Sequence, residues 1–527
     1  MLKKLTAKRI EIFFFYAFLL ISALSVILNK YNPSLDGPSH LYYSHLINYL
    51  LSGNEFINNH FALNKIPAPN LTDHYLLALF NLVLPFTVSQ KLLLLIFVVG
   101  FPLSIRFVIK LVNPASICLS AFAIVFSQSF LYYLGFYNFC LSFVFLFAAI
   151  GVYFKYFSDE TRQVTTKGYI LLFIFITLTY FTNGLAFGYL AVILFLYELS
   201  TWYTVLRNKH ESSDKKKLLI RILIFSLLWI PSAACFYLFI KGVPMQASGE
   251  KKSFAELWQW ICDVSPLVVY GDFEHPYTRK FLQLLGILLL TVLYFRFRNR
   301  TILRFLKDDI FLLVTIGTIA AYFFIPSGTS VGMMSERLCF YMFIFLIVWM
   351  ALQKTGGKLI LLISIAALFT QAVFLIKVHM PIISDLNKAV EVIRSSGEHI
   401  EPNSVVLPVD ISDNWLFFHV SDYIGVDKPL AIVEGYAEGS AGWFAVNWNW
   451  DKMPKLLLGD SVSNVSVSWA NNPNSKTVEQ IEYIFIHGDF TQIGEQKWVG
   501  LKSVIDTKYK LVYTSPDERV HLYRIIL

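Results

Sequence analysis

Long apolar stretches recur along most of the chain and then stop. They begin near Glu11, are separated by short polar loops, and end near Val378. A helix that crosses a bilayer needs about 20 mostly apolar residues, and repeated stretches of that kind predict about eleven transmembrane helices. From Pro381 onwards, amphipathic helical spacing alternates with short strand-like runs. The pattern therefore predicts a polytopic α-helical membrane protein with a C-terminal soluble α/β domain.

The composition agrees with a membrane protein. Of the 527 residues, 56% are hydrophobic and 15% are charged, and the mean hydropathy is +0.56. A soluble protein of this size is less apolar. The five cysteines do not have the spacing of a disulfide framework or a zinc motif. The first apolar stretch follows MLKKLTAKR and lacks a small-residue cleavage site, so we interpret it as a retained signal anchor.

Basic residues set the predicted orientation, because Lys and Arg are enriched in cytoplasmic loops. With the amino terminus in the cytoplasm, the basic segments all fall on that side of a bacterial inner membrane, and the C-terminal domain is periplasmic. The formal net charge of +8 then belongs to short membrane loops, which does not favour nucleic acid as a partner. The basic segments are Lys3–Arg9, Arg106–Lys110, Lys155–Lys167, Arg207–Lys217, Arg296–Lys307 and Lys354–Lys358.

This orientation requires two local arrangements. Leu71–Phe86 must be a juxtamembrane or re-entrant helix that does not cross, and Tyr169–Leu199 must form two short spans. We therefore predict a transmembrane domain over 1–380, with a first periplasmic loop and its juxtamembrane helices at 30–88, and a periplasmic domain over 381–527. The sequence contains neither a GxGxxG turn nor a Walker-type motif, so it does not support nucleotide binding.

The first outer loop is the most polar segment at the predicted membrane face. In LDGPSH, Gly37 and Pro38 predict a turn that leads into a helix, with Asp36 just before it. Asp36 is a candidate catalytic residue, and the alternative is that it caps the helix. The remaining candidate substrate-binding residues of this loop are His40, Lys65, Asp73 and His74. For Asp73, an alternative is a first-turn acid that stabilises the helix dipole.

The spacing of the loop residues does not favour a metal. His40 and His45 are five residues apart, so they share a helix face poorly. Asp36 is followed by Gly37, where a second acid would help to hold a cation. A divalent metal is therefore not supported, and the sequence identifies no ligands for one.

Further candidates lie at the predicted outer ends of spans. Arg337 has a planar guanidinium suited to bidentate phosphate contact, although an interfacial anchor is the alternative. Glu336 is placed to bind a sugar hydroxyl or to pair with a base. Asn138 is placed to face an outer cavity, although a turn or helix cap explains it as well. The aromatic run GWFAVNWNW, with Glu434, Tyr436 and Glu438 before it, suits either sugar stacking or packing within the domain.

The order and placement of several segments resemble the GT-C glycosyltransferases, a family that includes protein O-mannosyltransferases and lipid A aminoarabinose transferases. The family has an acid on the first outer loop, which Asp36 matches, followed by juxtamembrane helices. The resemblance implies an inverting enzyme that uses a polyprenyl-phosphate sugar donor, with that acid as base or metal-associated residue. The other similar segments are PAPNLTDHYLLALFNLVLP, GFYNFCLSFVFLFAAIG and PSGTSVGMMSERL.

We therefore predict an inner-membrane glycosyltransferase that acts at the periplasmic face. Its expected partners are the bilayer, a polyprenyl-phosphate-linked sugar and a lipid, glycan or protein acceptor hydroxyl. Asp36 would take the acceptor proton, and Arg337 would steady the departing phosphate. The alternative is a non-catalytic transporter, flippase or scaffold for lipid-linked envelope glycans. Inverted repeats are not evident and charges within spans are few, which argues against a transporter.

Overall fold

The computed structural model describes most of the 527 residues and divides the chain into two compact units. The helical unit comprises Met1–Leu28, Leu94–Tyr133 and Asn138–Pro381, and the mixed unit comprises Asn29–Leu93, Leu134–Tyr137 and Ile382–Leu527. The first outer loop thus groups with the C-terminal segment, whereas the domain boundaries drawn from the sequence stay a prediction. The described residues are 2–158, 164–207, 212–243, 249–302, 304–328, 332–355, 357–412, 414–433, 442–453, 481–494 and 498–526.

Helices account for most of the described chain. Those of the first half are α1 Leu2–Ile27, α2 Gly37–Leu51, α3 Glu55–His60, α4 Thr72–Asn81, α5 Phe86–Val112, α6 Ala121–Phe126, α7 Phe130–Tyr133, α8 Tyr137–Phe157, α9 Thr166–Thr182 and α10 Gly184–Arg207. Those of the second half are α11 Ser212–Leu227, α12 Ile230–Gly242, α13 Phe254–Asp263, α14 His275–Arg298, α15 Ile310–Phe324, α16 Met334–Leu352, α17 Lys358–Phe374, α18 Met380–Ser396 and α19 Val499–Lys508.

The helices confirm a polytopic helical membrane protein. Among the described residues, 8 helices are long and apolar enough to cross a membrane, or up to 9 if the bent pair Leu219–Leu227 and Ile230–Gly242 forms one span. The helices α9 and α15 are apolar but shorter, with 17 and 15 residues. The predicted number of about eleven spans requires both of them to cross as well, since a bilayer is about 30 Å thick.

The helix boundaries divide Tyr169–Leu199 into two helices and include a short helix within Leu71–Phe86, while the orientation stays a prediction. Asn183 separates α9 from α10, and its Oδ1 accepts hydrogen bonds from the backbone N–H groups of Leu185 and Ala186 at 3.0 and 3.1 Å. Asn183 is therefore a cap between two helices. The helix α4 has only 10 residues, which is too short to cross a bilayer.

Buried Arg–carboxylate pairs join helices within the helical unit. We expected Arg106 and Arg296 to lie in basic cytoplasmic loops, but both are buried inside helices. Each has a carboxylate partner, and a buried guanidinium requires one because desolvation otherwise disfavours its charge. The pairs are Glu11–Arg106, Glu198–Arg221 and Asp309–Arg296.

The mixed unit contains a five-stranded sheet and a two-stranded ribbon. The sheet has the order β3-β2-β5-β7-β6, in which β3, β2 and β5 are parallel, while β7 is antiparallel to both β5 and β6. Strands β2 and β5 are buried almost throughout, as their continuous apolar sequences require. The strands are β1 Phe61–Leu63, β2 Ser404–Ile411, β3 Leu430–Ile432, β4 Val446–Trp448, β5 Tyr483–Gly488, β6 Tyr509–Thr514 and β7 Val520–Ile525.

The first outer loop is bonded to the C-terminal segment within this unit. Strand β1 pairs with β4 to form the antiparallel ribbon. The Tyr42 hydroxyl of α2 donates to the carbonyl of Leu430 at 2.7 Å and accepts from the backbone N–H of Ile432 at 3.1 Å. Helix α2 is therefore fixed against β3, and this contact positions the polar residues at its amino-terminal end.

Candidate functional site

Helix α2 begins directly after Asp36, as the Gly-Pro sequence predicts. The Asp36 backbone N–H donates to the Leu134 carbonyl at 3.0 Å, and the Asp36 carbonyl accepts from the His40 N–H at 3.0 Å. Its side chain makes no capping hydrogen bond. The side chain is 17% exposed, and Oδ1 lies 3.7 Å from Nε2 of His419. The carboxylate is therefore not used as a helix cap.

Two glycines let the chain pack closely around Asp36. A Cβ at Gly37 would lie 2.2 Å from both the Ser34 and the Tyr137 hydroxyl oxygens. Gly135 has φ +79°, and a Cβ there would lie 2.9 Å from the Asp36 nitrogen. A side chain at either position would displace Asp36, so the segments LDGPSH and GFYN, noted separately in the sequence, form one packed unit.

Three buried side chains converge where α2 and α4 begin. His40 Nδ1 lies 2.5 Å from Asp73 Oδ2, and His74 Nδ1 lies 2.8 Å from Asp73 Oδ1. The two imidazole rings have centroids 4.6 Å apart. One potential ligand atom from each of the three residues lies within 4.8 Å of the others. These residues are therefore a candidate metal centre, a grouping that the pair His40 and His45 did not suggest.

Asp73 also has the role in the helix dipole that its position predicts. It lies in the first turn of α4, and Oδ1 accepts the backbone N–H of His74 at 2.6 Å. A carboxylate is stabilised at the positive end of a helix. The same carboxyl group therefore stabilises the helix dipole and contacts both imidazoles.

Burial controls the charges of this cluster. It lowers the pKa of His40, although the Asp73 carboxylate opposes that change. It also lowers the pKa of His419 to about 3, with a smaller contribution from His40. Burial alone would raise the pKa of Asp73, but the neighbouring imidazoles hold it below its usual range. At neutral pH, an ionised carboxylate is therefore buried against the neutral ring of His40.

The C-terminal segment contributes two polar residues that the sequence did not single out. His419 lies beside Asp36 and directly precedes the 3₁₀ segment Val420–Gly425, which contains Asp422. Burial raises the pKa of Asp422 to about 7, and a weaker interaction with Ser39 opposes this. Both residues lie nearly 400 positions after Asp36, and no local motif marks them, so only the tertiary fold reveals their proximity to α2.

Aromatic and amide side chains hold the cluster in place. The Phe444 ring lies 6.1 Å from that of His40 and 5.5 Å from that of His74. Tyr137 lies 5.3 Å from His40. The amide nitrogen of Gln90 is within 3.3 Å of the Tyr137 hydroxyl, and it is also bonded to the Asn32 carbonyl and the Tyr423 hydroxyl. A rigid wall therefore surrounds the two imidazoles.

The aromatic run GWFAVNWNW serves mainly as packing. Phe444 contacts the histidines, and Trp448 is buried in the ribbon formed by β1 and β4. Trp450 is 40% exposed and remains open to a ligand. The acids and tyrosine suggested as further sugar contacts, Glu434, Tyr436 and Glu438, lie outside the described residues.

Of the other predicted site residues, Lys65 belongs to the same loop as the cluster, whereas Asn138, Glu336 and Arg337 belong to the helical unit. Lys65 is exposed. In the helical unit, Arg337 is buried, donates from Nε to the Gly332 carbonyl at 3.1 Å, and stacks 5.2 Å from the Phe139 ring. Glu336 accepts a hydrogen bond from Ser327, and Asn138 is buried near the start of α8. A role for these residues together with Asp36 stays a prediction.

Two solved structures resemble the chain weakly. No family model and no curated protein sequence match the chain. The crystal structure of ArnT from Cupriavidus metallidurans bound to undecaprenyl phosphate is similar with a TM-score of 0.42 and 9% identity, over 97% of each chain. The Archaeoglobus fulgidus oligosaccharyltransferase, in complex with Zn and sulfate, is similar with a TM-score of 0.37 and 14% identity, over 97% of this chain and 73% of that chain. TM-scores below 0.5 carry no argument about function, so the assignment to a family stays a proposal.

Proposed function

We propose that this protein is a GT-C-type glycosyltransferase that moves a sugar from a polyprenyl-phosphate donor to a hydroxyl group at the outer face of the membrane. The acceptor is a lipid, a glycan or a protein. The proposal joins two facts: the chain is a polytopic helical membrane protein, and its first outer loop carries an acid in a buried polar cluster. The resemblance to GT-C enzymes in the first loop supports the same assignment.

The environment of Asp36 is the observation that carries this proposal. Its carboxylate is partly exposed, is not used as a helix cap, and has the His419 imidazole 3.7 Å away. A general base must be reachable by its substrate and must also be held in one orientation. The close packing at Gly37 and Gly135 fixes the backbone of Asp36 and leaves the carboxylate at the edge of the cluster.

In the proposed reaction, the acceptor oxygen attacks the anomeric carbon of the donor sugar. A new C–O bond forms as the bond between that carbon and the phosphate oxygen breaks, and polyprenyl phosphate leaves with the bonding electrons. Asp36 takes the acceptor proton, which increases the nucleophilicity of the oxygen. The proposal assigns Arg337 to the departing phosphate, because Phe139 and Gly332 orient its planar guanidinium.

Replacement of Asp36 by Asn tests the proposal. The amide keeps the size of the side chain but cannot take the proton, so we expect transfer to fall by about 10²–10⁴-fold, the usual contribution of a general base. Wild type and variant are reconstituted into liposomes with a panel of polyprenyl-phosphate sugars and an envelope extract as acceptor. The release of polyprenyl phosphate and the labelling of acceptor are then measured.

A matched control separates this effect from a general loss of charge. Asp385 lies in the mixed unit, is 76% exposed and pairs with Lys388 at the surface, so Asp385→Asn should transfer at the wild-type rate. Full activity of Asp36→Asn would refute the role of the acid. A wild-type protein that moves the lipid-linked sugar across the bilayer but never transfers it would instead identify a flippase.

A further inference from the structure

We propose that His40, Asp73 and His74 bind one divalent metal ion, and that Zn²⁺ fits the three ligands best. This proposal does not depend on the glycosyltransferase function, since it concerns binding only. It goes beyond the sequence, which does not support a divalent metal and leaves its ligands unknown. Helical spacing compares only residues close in sequence, whereas His40 and Asp73 lie on different helices, α2 and α4.

The first argument is geometric. Both oxygens of the Asp73 carboxylate face an imidazole Nδ1, at 2.5 Å for His40 and 2.8 Å for His74. A ligand atom of each residue lies within 4.8 Å of the other two. Zinc binds nitrogen and oxygen ligands at about 2.0–2.2 Å, so ligand atoms around one ion lie a little over 3 Å apart. The ligand atoms of the three residues are therefore close to the separation that one zinc ion requires.

The second argument is an unsatisfied nitrogen. His74 is completely buried, and in the described part of the chain its Nε2 has no hydrogen-bond partner. A buried polar atom without a partner costs about 1–3 kcal/mol, so such atoms are rare and need an explanation. A neutral imidazole nitrogen is a common zinc ligand, and metal binding would satisfy an imidazole that is otherwise incompletely bonded.

The third argument is the identity of the ligands. Two imidazoles and one carboxylate form the donor set of several zinc sites, with three protein ligands and one open position. Ca²⁺ and Mg²⁺ favour oxygen ligands, and Asp73 is the only oxygen donor of this group. The ion would also offset the negative charge of a carboxylate that is fully buried.

The competing explanation is a metal-free cluster in which each imidazole donates a proton to the carboxylate. The two explanations differ in what the purified protein contains. The full-length protein is purified in detergent without chelators, and its metal content is measured by mass spectrometry. We expect about one zinc ion per chain. Dialysis against a chelator should remove it, lower the melting temperature, and allow Co²⁺ to bind with visible absorption bands.

Variants locate the ion. His74→Ala and Asp73→Asn should each retain less than about a tenth of the wild-type metal, because a site with two remaining ligands binds weakly. His45→Ala is the matched control, since His45 is on the same helix α2 but is not part of the group, and it should retain the metal. Size-exclusion elution establishes that each variant is folded.

Every outcome decides the question. A wild-type protein without metal, which also fails to take up Zn²⁺ or Co²⁺, overturns the proposal in favour of the hydrogen-bonded cluster. Equal metal in Asp73→Asn and wild type also overturns it, because the ion then lies elsewhere. If the variants do not fold, the chelator and Co²⁺ experiments on the wild type still decide. The metal content of Asp36→Asn is measured as well. Metal retained in an inactive Asp36→Asn variant would show that metal binding and transfer are separate properties.

Discussion

The two compact units bury polar groups in different ways. In the helical unit, the buried Arg–carboxylate pairs match opposite charges, and Arg106 meets Glu11 with two hydrogen bonds of 2.6 and 3.0 Å. In the mixed unit, the buried carboxylate of Asp73 is bonded to imidazoles, and the buried Asp422 has no basic partner among the described residues. Arginine thus balances three buried acids of the helical unit, whose buried Glu274 contacts the imidazole of His379, whereas imidazoles contact the buried Asp73 of the mixed unit.

This difference indicates where chemistry takes place. The bidentate pairs Glu11–Arg106 and Asp309–Arg296 fix helices in one arrangement, whereas one hydrogen bond joins the side chains of the pair Glu198–Arg221. A cluster with an unsatisfied imidazole and an acid of raised pKa stores free energy that binding can release. We therefore propose the acids of the mixed unit as functional residues, and we expect the arginine pairs of the helical unit to act on stability.

The largest expected effect on stability comes from breaking a buried pair. Arg106→Leu leaves Glu11 buried without its partner, which should destabilise the protein by about 3–5 kcal/mol. Unfolding by SDS in mixed micelles measures the change. The double variant Glu11→Gln with Arg106→Leu removes the uncompensated charge and should recover part of the loss.

An exposed pair of similar geometry is the control. Arg524 contacts Glu401 with two hydrogen bonds of 2.9 Å, but both side chains are solvent-exposed. Arg524→Leu should therefore cost only about 0–1 kcal/mol. If Arg106→Leu and Arg524→Leu lowered the free energy of unfolding equally, burial would not determine how much an arginine pair stabilises this protein.

The raised pKa of Asp422 predicts the next effect. Its carboxyl binds a proton more tightly in the folded state, with a pKa of about 7, than in the unfolded state, where about 3.9 is usual. The contribution of this group to the free energy of unfolding is therefore fully present below pH 4 and is lost as the pH rises to 7. The loss is at most about 4 kcal/mol. The wild type should lose stability relative to Asp422→Asn over that interval, as measured by unfolding at several pH values. A constant difference between the two proteins would contradict the raised pKa.

The smallest effect concerns the bond between the first loop and the sheet. Tyr42→Phe removes the hydroxyl that bridges Leu430 and Ile432 in β3. Two backbone groups then lose a partner, so we expect a loss of about 1–3 kcal/mol. Thermal unfolding measures it, and Tyr49→Phe on the same helix, at a less buried position, is the control. Equal changes in both variants would show that the bridge does not stabilise the unit.

Much of the fold is readable from the sequence because apolar runs and Gly-Pro turns act locally. The split of the stretch Tyr169–Leu199 at Asn183 and the short helix α4 both follow from such local signals. The positions of the buried arginines do not follow from local signals. A charge pattern alone cannot distinguish Arg106 in a loop from Arg106 in a helix, because its partner Glu11 is 95 residues away.

The sequence identifies several residues of the candidate site but not how they are arranged. Asp36, His40, Asp73 and His74 all stood out as polar residues of one outer loop. Their grouping depends on how α2 packs against α4, which helical spacing along α2 alone does not predict. His419 and Asp422 carry no signal in the sequence, since an isolated histidine and an isolated aspartate in a soluble domain are ordinary surface residues.

The central claim is that Asp36 takes the acceptor proton and does not bind the donor. The most direct test measures the affinity of Asp36→Asn for a polyprenyl-phosphate sugar that the wild type consumes, alongside its rate of turnover. We expect a dissociation constant within about threefold of the wild type and a turnover lower by about 10²–10⁴-fold. A variant that turns over at the wild-type rate, or one that stays folded but no longer binds the donor, would contradict it.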